Sequence, residues 1–492
     1  MNPFTPLFLL LGGSLASLLV DRLLEKIGAI RWRGCLAACI LAIALLLFSW
    51  EAYHGVQVAE FIVVGPKSPL TASLKLDYLG LYFSIMFCGL GLAVCVYSLS
   101  YFKSKSEIEI IDRYYLLLLA LVAGMVGVIL ANDFFTLYVF WELMALSSYS
   151  LVAFRKWSWE AVEAGFKYLV MGVTGSIAIL FGMSLLYGFA GTLNLTKLAS
   201  ILESAEGGML LHIALLMLIA GFGIKAAIVP LHTWLPDAYT AAPSPVSAII
   251  AGASTGLGAL VICKLLFFLF PHLSTSWTMF FAAFSVLNML IGNVAGLLQD
   301  DVKRMLAYSS IAHIGYIFIG VAAGTQLGLT GALLHIFNHG ILKALAFLCI
   351  GAVIYRLNAR SLDDIIGVGR KMPITASAFI LAILGLIGMP PLNGFVSKLI
   401  LFTSSLEAGM LWLGILLVIF SAVSTGYYLR ILKVLIAPPN EKVANVKEAP
   451  LLMLAPMLVL AFLVILFGIW PDPILAFIES SSSMLCGGGR IC

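Results

Sequence analysis

Fourteen apolar runs, each long enough to cross a bilayer, divide this chain of 492 residues. They fall near 4–22, 34–50, 76–99, 114–131, 134–154, 164–189, 210–230, 246–270, 277–298, 305–324, 327–355, 374–401, 409–432 and 450–470. A hydrocarbon core roughly 30 Å thick needs about 20 apolar residues in helical form, so each run is read as one span. The expected fold is an all-α polytopic membrane protein of about 14 transmembrane helices, forming a single membrane domain over 1–492. With 62% of residues hydrophobic and 11% charged, the chain is neither a water-soluble enzyme, nor disordered, nor a nucleic-acid binder. Met1–Leu10 has no basic n-region and is expected to belong to the first span, not to a cleaved signal.

The scarce charges sort by side. Of 28 basic residues, nineteen lie after odd-numbered runs, including Arg22, Arg31, Lys103, Arg155, Lys303, Arg356 and Arg430. Lys67, Lys75, Lys197 and Arg490 are all that the other side holds. The positive-inside rule puts the odd-numbered loops in the cytoplasm and both termini outside, as for a multi-pass protein of a prokaryotic inner membrane. Five lysines remain, and all of them fall inside runs: Lys167, Lys225, Lys264, Lys343 and Lys398. Glu142 is the acid that lies clearly inside one. Each such charge costs about 2.5–3.5 kcal/mol on an insertion scale, which marks the six as functional candidates. Snorkelling to the headgroups is the competing explanation for Lys167 and Lys264. Lysine, unlike arginine, can exchange its proton when desolvated, so a row of lysines with one glutamate suits proton transfer.

Two of these lysines flank expected helix breaks. Lys225 precedes Pro230 in GFGIKAAIVPLHTWLPDAY, and Lys398 follows Pro390 and Pro391 in GLIGMPPLNGFVSKLILF. Interior proline removes a backbone hydrogen bond, and paired breaks in corresponding positions are a mark of transporters built from repeats. The breaks lie five spans apart, as do Lys167 and Lys343. That spacing predicts two inverted five-helix repeats, spans 4–8 and 9–13, with broken helices 7 and 12. The divisions are then 1–112 (helices 1–3), 113–270, 277–435, and 450–492 (last helix and tail).

His335 and His339 lie four apart, on one helix face beside Lys343. The spacing is that of HExxH, but no glutamate stands between them, so no metal site is expected. Two readings stay open: a proton-relaying patch extended by His313, and simple packing. His232, next to Pro230, is placed at the cytoplasmic opening. The eight cysteines show no metal or haem spacing, and no cofactor is expected. Cys486 and Cys492 flank GGGRI and could pair in an oxidising compartment.

The stretches WELMALSSY, GFGIKAAIVPLHTWLPDAYTAAPSPVSAIIAG, DDVKRMLAYSSIAHIGY and MPPLNGFVSK closely resemble the antiporter-like subunit family. Its members are the large subunits of Mrp-type Na+/H+ antiporters, the proton-pumping membrane subunits of complex I, and their membrane-bound hydrogenase equivalents. The resemblance runs from about 70 to 435. It implies that Glu142 is the fifth-span glutamate and Lys225 its partner. It likewise makes Lys264 the eighth-span connecting residue and Lys398 the terminal titratable residue. Lys343, His335 and His339 would lie on the polar axis between them. Lysine at 398 argues against the complex I subtype with glutamate there, and the short tail argues against the subtype with a long lateral helix.

The expected function is therefore proton translocation within a multisubunit complex, with Glu142 paired to protonated Lys225 at rest. Opening that pair would pass the proton through Lys264 and the histidines to Lys398. The sequence holds no P-loop, cofactor ligands or catalytic site of its own, so an ion gradient or a redox partner in an ion-translocating oxidoreductase must drive it. Expected partners are other membrane subunits, homologous antiporter-like ones among them, together with lipid and H+, with Na+ left open. A stand-alone solute carrier, a haem- or quinone-bearing subunit and a purely structural subunit are the alternatives.

Overall fold

A computed structural model describes residues 2–29, 32–56, 58–62, 72–203 and 208–486. Arg31, Lys67, Arg490 and Cys492 lie outside them, and with Cys492 the expected Cys486–Cys492 pairing. Twelve helices among the described residues are long and apolar enough to cross a membrane. They are α1 (Thr5–Lys26), α2 (Cys35–Tyr53), α3 (Tyr78–Tyr101), α4 (Ile111–Leu130), α5 (Phe134–Val152) and α6 (Trp159–Ala190). After the interrupted pair α7 (Met209–Lys225) and α8 (Trp234–Ala241) come α9 (Ser244–Leu269), α10 (Ser274–Leu297), α11 (Val302–Ala323) and α12 (Gln326–Leu357). A second interrupted pair, α13 (Pro373–Ile387) and α14 (Asn393–Glu407), leads to α15 (Leu411–Ile436) and α16 (Leu451–Ile469). By length and composition the described residues hold twelve spans, or up to thirteen with the bent pair Asp363–Lys371 and Pro373–Ile387 taken as one, against the expected fourteen; the difference falls at the two interrupted helices, whose halves are too short to count alone.

Burial divides the helices into a centre and a rim. The apolar stretch of α9 is wholly buried, α11 and α4 are nearly so, and α12 follows. α1, α2, α6 and α15 instead expose large apolar side chains such as Leu19, Leu46, Phe166 and Val418, as lipid-facing surfaces do. Small residues let the central helices meet closely: a Cβ on Gly340 of α12 would run into the Gly252 carbonyl of α9.

Several local features depart from the sequence reading. Helices run past the apolar runs, so Arg22 and Lys26 end α1, and Arg430 and Lys433 lie within α15. Strands β1 (Ala59–Ile62) and β2 (Ser73–Leu76) pair antiparallel between the second and third spans. In α9, π-helical turns at Ile250–Ser254 and Leu265–Leu269 replace regular helix. An additional short helix, α17 (Asp472–Leu485), follows the last span.

Both expected breaks are present. α7 stops at Lys225 itself, and residues 226–233, with Pro230, form the turn into α8. α13 stops at Ile387, and Pro390 and Pro391 precede α14. A break in lipid frees backbone groups that must find partners inside the protein. At the first break Asn288 of α10 supplies them: its Oδ1 accepts from Val229 N–H at 2.9 Å, and its Nδ2 donates to the Ala227 carbonyl at 3.0 Å. Trp234 Nε1 donates to the Ile224 carbonyl at 2.8 Å.

Candidate functional site

The breaks put two lysines at the C-terminal ends of half-helices, where free carbonyls and the helix dipole favour an ammonium group. Lys398 shows this directly. Its Nζ donates to the Leu386 and Ile387 carbonyls of α13 at 3.0 and 2.9 Å, and to Ser421 Oγ at 3.1 Å. It also lies 4.8 Å from the centre of the Tyr316 ring, within cation–π range. Gly388 turns the chain there with φ +88°, and a Cβ on it would stand 2.8 Å from Lys398 Cδ. Glycine is therefore required twice over at that position.

Lys225 ends α7 and is 4% exposed. Its Nζ donates to Ser148 Oγ at 3.0 Å and to the Tyr168 hydroxyl, and the Tyr149 ring lies 5.7 Å away. Tyr168 is fixed by stacking on Trp234 of α8 at 4.0 Å. Glu142 instead bonds Ser176 of α6. The expected contact pair is thus not formed: among the described residues no ion pair joins Glu142 to Lys225. Serine and tyrosine hydroxyls take up the two charges separately.

A second polar group lies between α11, α12 and α14. Lys343, near the midpoint of α12 and fully buried, donates to the Leu306 carbonyl at 2.8 Å and to Ser309 Oγ. His313 Nδ1 and His335 Nε2 are 3.0 Å apart, and His335 Nδ1 is 3.0 Å from Ser397 Oγ. His339 packs against His313 at a ring distance of 5.1 Å, with neither of its ring nitrogens bonded within the described residues. Tyr316 meets His313 and His335 edge-on, so it touches both the histidines and Lys398. One imidazole must donate to the other, and moving a proton through the pair reverses their roles. Lys343 and Lys398 have carbonyl and hydroxyl partners, with no acid paired to either among the described residues. Ser309 and Ser421 can accept from an ammonium or donate to an amine, so either protonation state is served.

Three expected members stand elsewhere. Lys264 sits at the end of the span: its Nζ donates to the Ala131 carbonyl at 2.9 Å and, more loosely, to that of Ile129 at 3.4 Å. It lines a polar cavity of about 30 Å³ with Lys75, Asp77 and Asn132, away from Lys225 and the histidines. Its expected connecting place is therefore not observed. Lys167 is exposed and ion-paired to Glu163 at 2.8 Å and Asp237 at 3.0 Å, so it belongs to a surface network and not to the axis. Glu163, one turn before it on the same helix face, holds it at the surface. His232 lies half-buried in the turn beside Pro230.

One buried lysine escapes the sequence reading. Lys303 falls among the loop residues there, yet it is 3% exposed and donates to the Thr240 and Ala242 carbonyls at 3.1 and 2.6 Å. It closes the C-terminal end of α8. The hydroxyl and amide partners Ser148, Tyr168, Ser176, Asn288, Ser309, Tyr316 and Ser397 escape it too. A faint signal exists: Ser309, His313 and Tyr316 recur at i, i+4 and i+7 on α11, opposite His335, His339 and Lys343 at i, i+4 and i+8 on α12.

Broken helices enclosing a row of buried lysines and histidines define an ion-translocating membrane subunit built like a secondary transporter. Residues 131–425 match the transmembrane family described as NADH:quinone oxidoreductase/Mrp antiporter, and the chain belongs to that family. It is 32% identical over 469 residues to F(420)H(2) dehydrogenase subunit N of Methanosarcina mazei, covering 93% of this chain and 92% of that one. It is 33% identical over 482 residues to NADH-quinone oxidoreductase subunit N of Desulforudis audaxviator, covering 92% and 94%. A chain of the membrane-bound sulfane sulfur reductase, an archaeal respiratory membrane complex, superposes with a TM-score of 0.88 at 29% identity, over 98% of both chains.

Proposed function

We propose that this antiporter-like subunit carries protons along a path from Lys225 through Lys343 and the His313–His335 pair to Lys398. The observation that carries the reading is the set of three lysines, each 5% exposed or less, whose Nζ atoms all meet a serine or tyrosine hydroxyl that can exchange a proton. Glu142 acts on Lys225 at a distance: a rearrangement that brings it closer, or draws it away, changes how tightly Lys225 holds its proton. Among the described residues no side-chain hydrogen bond joins the Lys225 group to the Lys343 group, and the Phe347 ring packs on Tyr239 between α8 and α12. Transfer between the two groups therefore requires a conformational step, which is where a partner subunit would exert control. Lys264 serves the outer mouth instead of the middle of the path.

The working unit is a multisubunit respiratory complex. The names of the relatives favour an N-type subunit of a quinone- or F420-linked dehydrogenase, and lysine at 398 agrees with that. The divisions 113–270 and 277–435 form inverted five-helix repeats on this reading, supported by a break in each with a buried lysine beside it. The end rich in Arg155, Arg304, Arg360 and Arg430 faces the cytoplasm by the positive-inside rule. Lys398→Ala in the assembled complex tests the path: redox activity persists while proton movement per electron falls. Unchanged proton movement with normal assembly would refute it.

A further inference from the structure

A groove of about 460 Å³ opens on the bilayer flank between α2, α3, α12 and α16. Leu45, Gly89, Ala93, Phe337, Val459 and Leu463 are among its walls, and no lining residue has a polar side chain. Phe337 and Ile341 form its floor, on the face of α12 turned away from His335, His339 and Lys343. The groove follows α3 from Ile85 to Val96, about 17 Å at 1.5 Å per residue. That is close to the depth of one leaflet, about 15 Å of a hydrocarbon core roughly 30 Å thick.

Two cations stand at the basic end of the same helices. Lys103, just beyond α3, donates to the Tyr355 carbonyl at 3.0 Å and lies 3.2 Å above the Tyr355 ring. Arg356, near the end of α12, lies 5.4 Å from that ring and bonds the Glu448 carbonyl at the approach to α16. Among the described residues neither side-chain cation has a carboxylate partner; the Glu107 carboxylate accepts instead from the Lys103 backbone N–H at 3.3 Å. The Glu448 carboxylate is turned instead to Ile374 N–H at 2.9 Å and Thr375 Oγ1 at 2.6 Å. Burial and the Arg356 charge hold Lys103 below the ordinary lysine range, and an anion between them would relieve that repulsion.

We propose that the groove and this cation pair form one phospholipid site, with an acyl chain between α3 and α16 and the headgroup phosphate on Lys103 and Arg356. An apolar slot alone would accept any hydrocarbon; the paired cations one to two helical turns above its upper end select a lipid anion. The bound chain would brace the back of α12, whose other face carries the polar row.

The test is an electron-microscopy map of the assembled complex in nanodiscs of phosphatidylglycerol with brominated acyl chains, joined to a count of phospholipid retained per complex after detergent washing. The expected map shows bromine in the groove and phosphate at Lys103. The K103A/R356A double variant should remove the phosphate and weaken retention about fivefold per cation lost. Gly89→Phe should expel the chain; among the described residues an added Cβ there meets only Leu45 Cδ1, at 4.0 Å, so the backbone accepts a side chain at that point. A neighbouring subunit's helix in the groove, a quinone there without phosphate at Lys103, or retention unchanged in both variants would overturn the proposal.

Discussion

Asn288→Leu isolates the device that holds the first helix break open. Leucine nearly matches asparagine in shape but leaves Val229 N–H and the Ala227 carbonyl without the partners they now have at 2.9 and 3.0 Å. A buried unsatisfied backbone group costs about 1–3 kcal/mol. Interhelical hydrogen bonds in membranes average nearer 0.6 kcal/mol, because the disordered state finds other partners. For two groups the loss should be about 1–6 kcal/mol, with the middle of that range expected where no other group reaches the turn. The contact with the Ile311 carbonyl at 3.3 Å adds little, since that group also serves α11. The assay is equilibrium unfolding of the purified subunit in mixed detergent micelles, followed by the fluorescence of Trp234, whose ring packs beside the break. Because α7 ends at Lys225, a relaxed turn should also move that lysine off Ser148 and Tyr168 and lower proton movement in the complex. A variant with the wild-type unfolding midpoint and full proton movement would refute the reasoning.

Two further substitutions separate structure from transport. Glu142→Gln keeps a partner for Ser176 but removes the charge acting on Lys225, so assembly should be normal while proton movement falls at least about tenfold; a rate within twofold of wild type would contradict this. Lys303→Met removes two charge-assisted bonds to the end of α8, each worth about 1.5–3 kcal/mol, and should lower the unfolding midpoint more than the exposed Lys167→Met does.

The membrane fold was legible because the length and apolar character of each span are properties of the chain alone. The breaks were legible for the same reason, since proline removes a donor wherever it stands. Which lysines face inward was not. Lys167 lies in an apolar-looking stretch, but its partner Asp237 arrives from α8, seventy residues on. Lys303 sits in the charged run DDVKRM, yet helical phase turns it inward while Asp301 and Arg304 remain on the surface network. The distance between Glu142 and Lys225 was equally hidden, because it depends on Ser148, Tyr168 and Ser176 winning those contacts. A hydroxyl in an apolar helix commonly bonds its own backbone, as Ser147 does with Leu143, so its presence alone does not reveal a charged partner.

The central claim is that Lys225 carries the proton, and proton counting in proteoliposomes of the assembled complex tests it most directly. Lys225→Ala should leave electron transfer running with fewer protons moved per electron, and Lys225→Arg, which stays charged, should fail to restore them. Full proton movement in Lys225→Ala, or rescue by arginine to the wild-type ratio, would contradict the account.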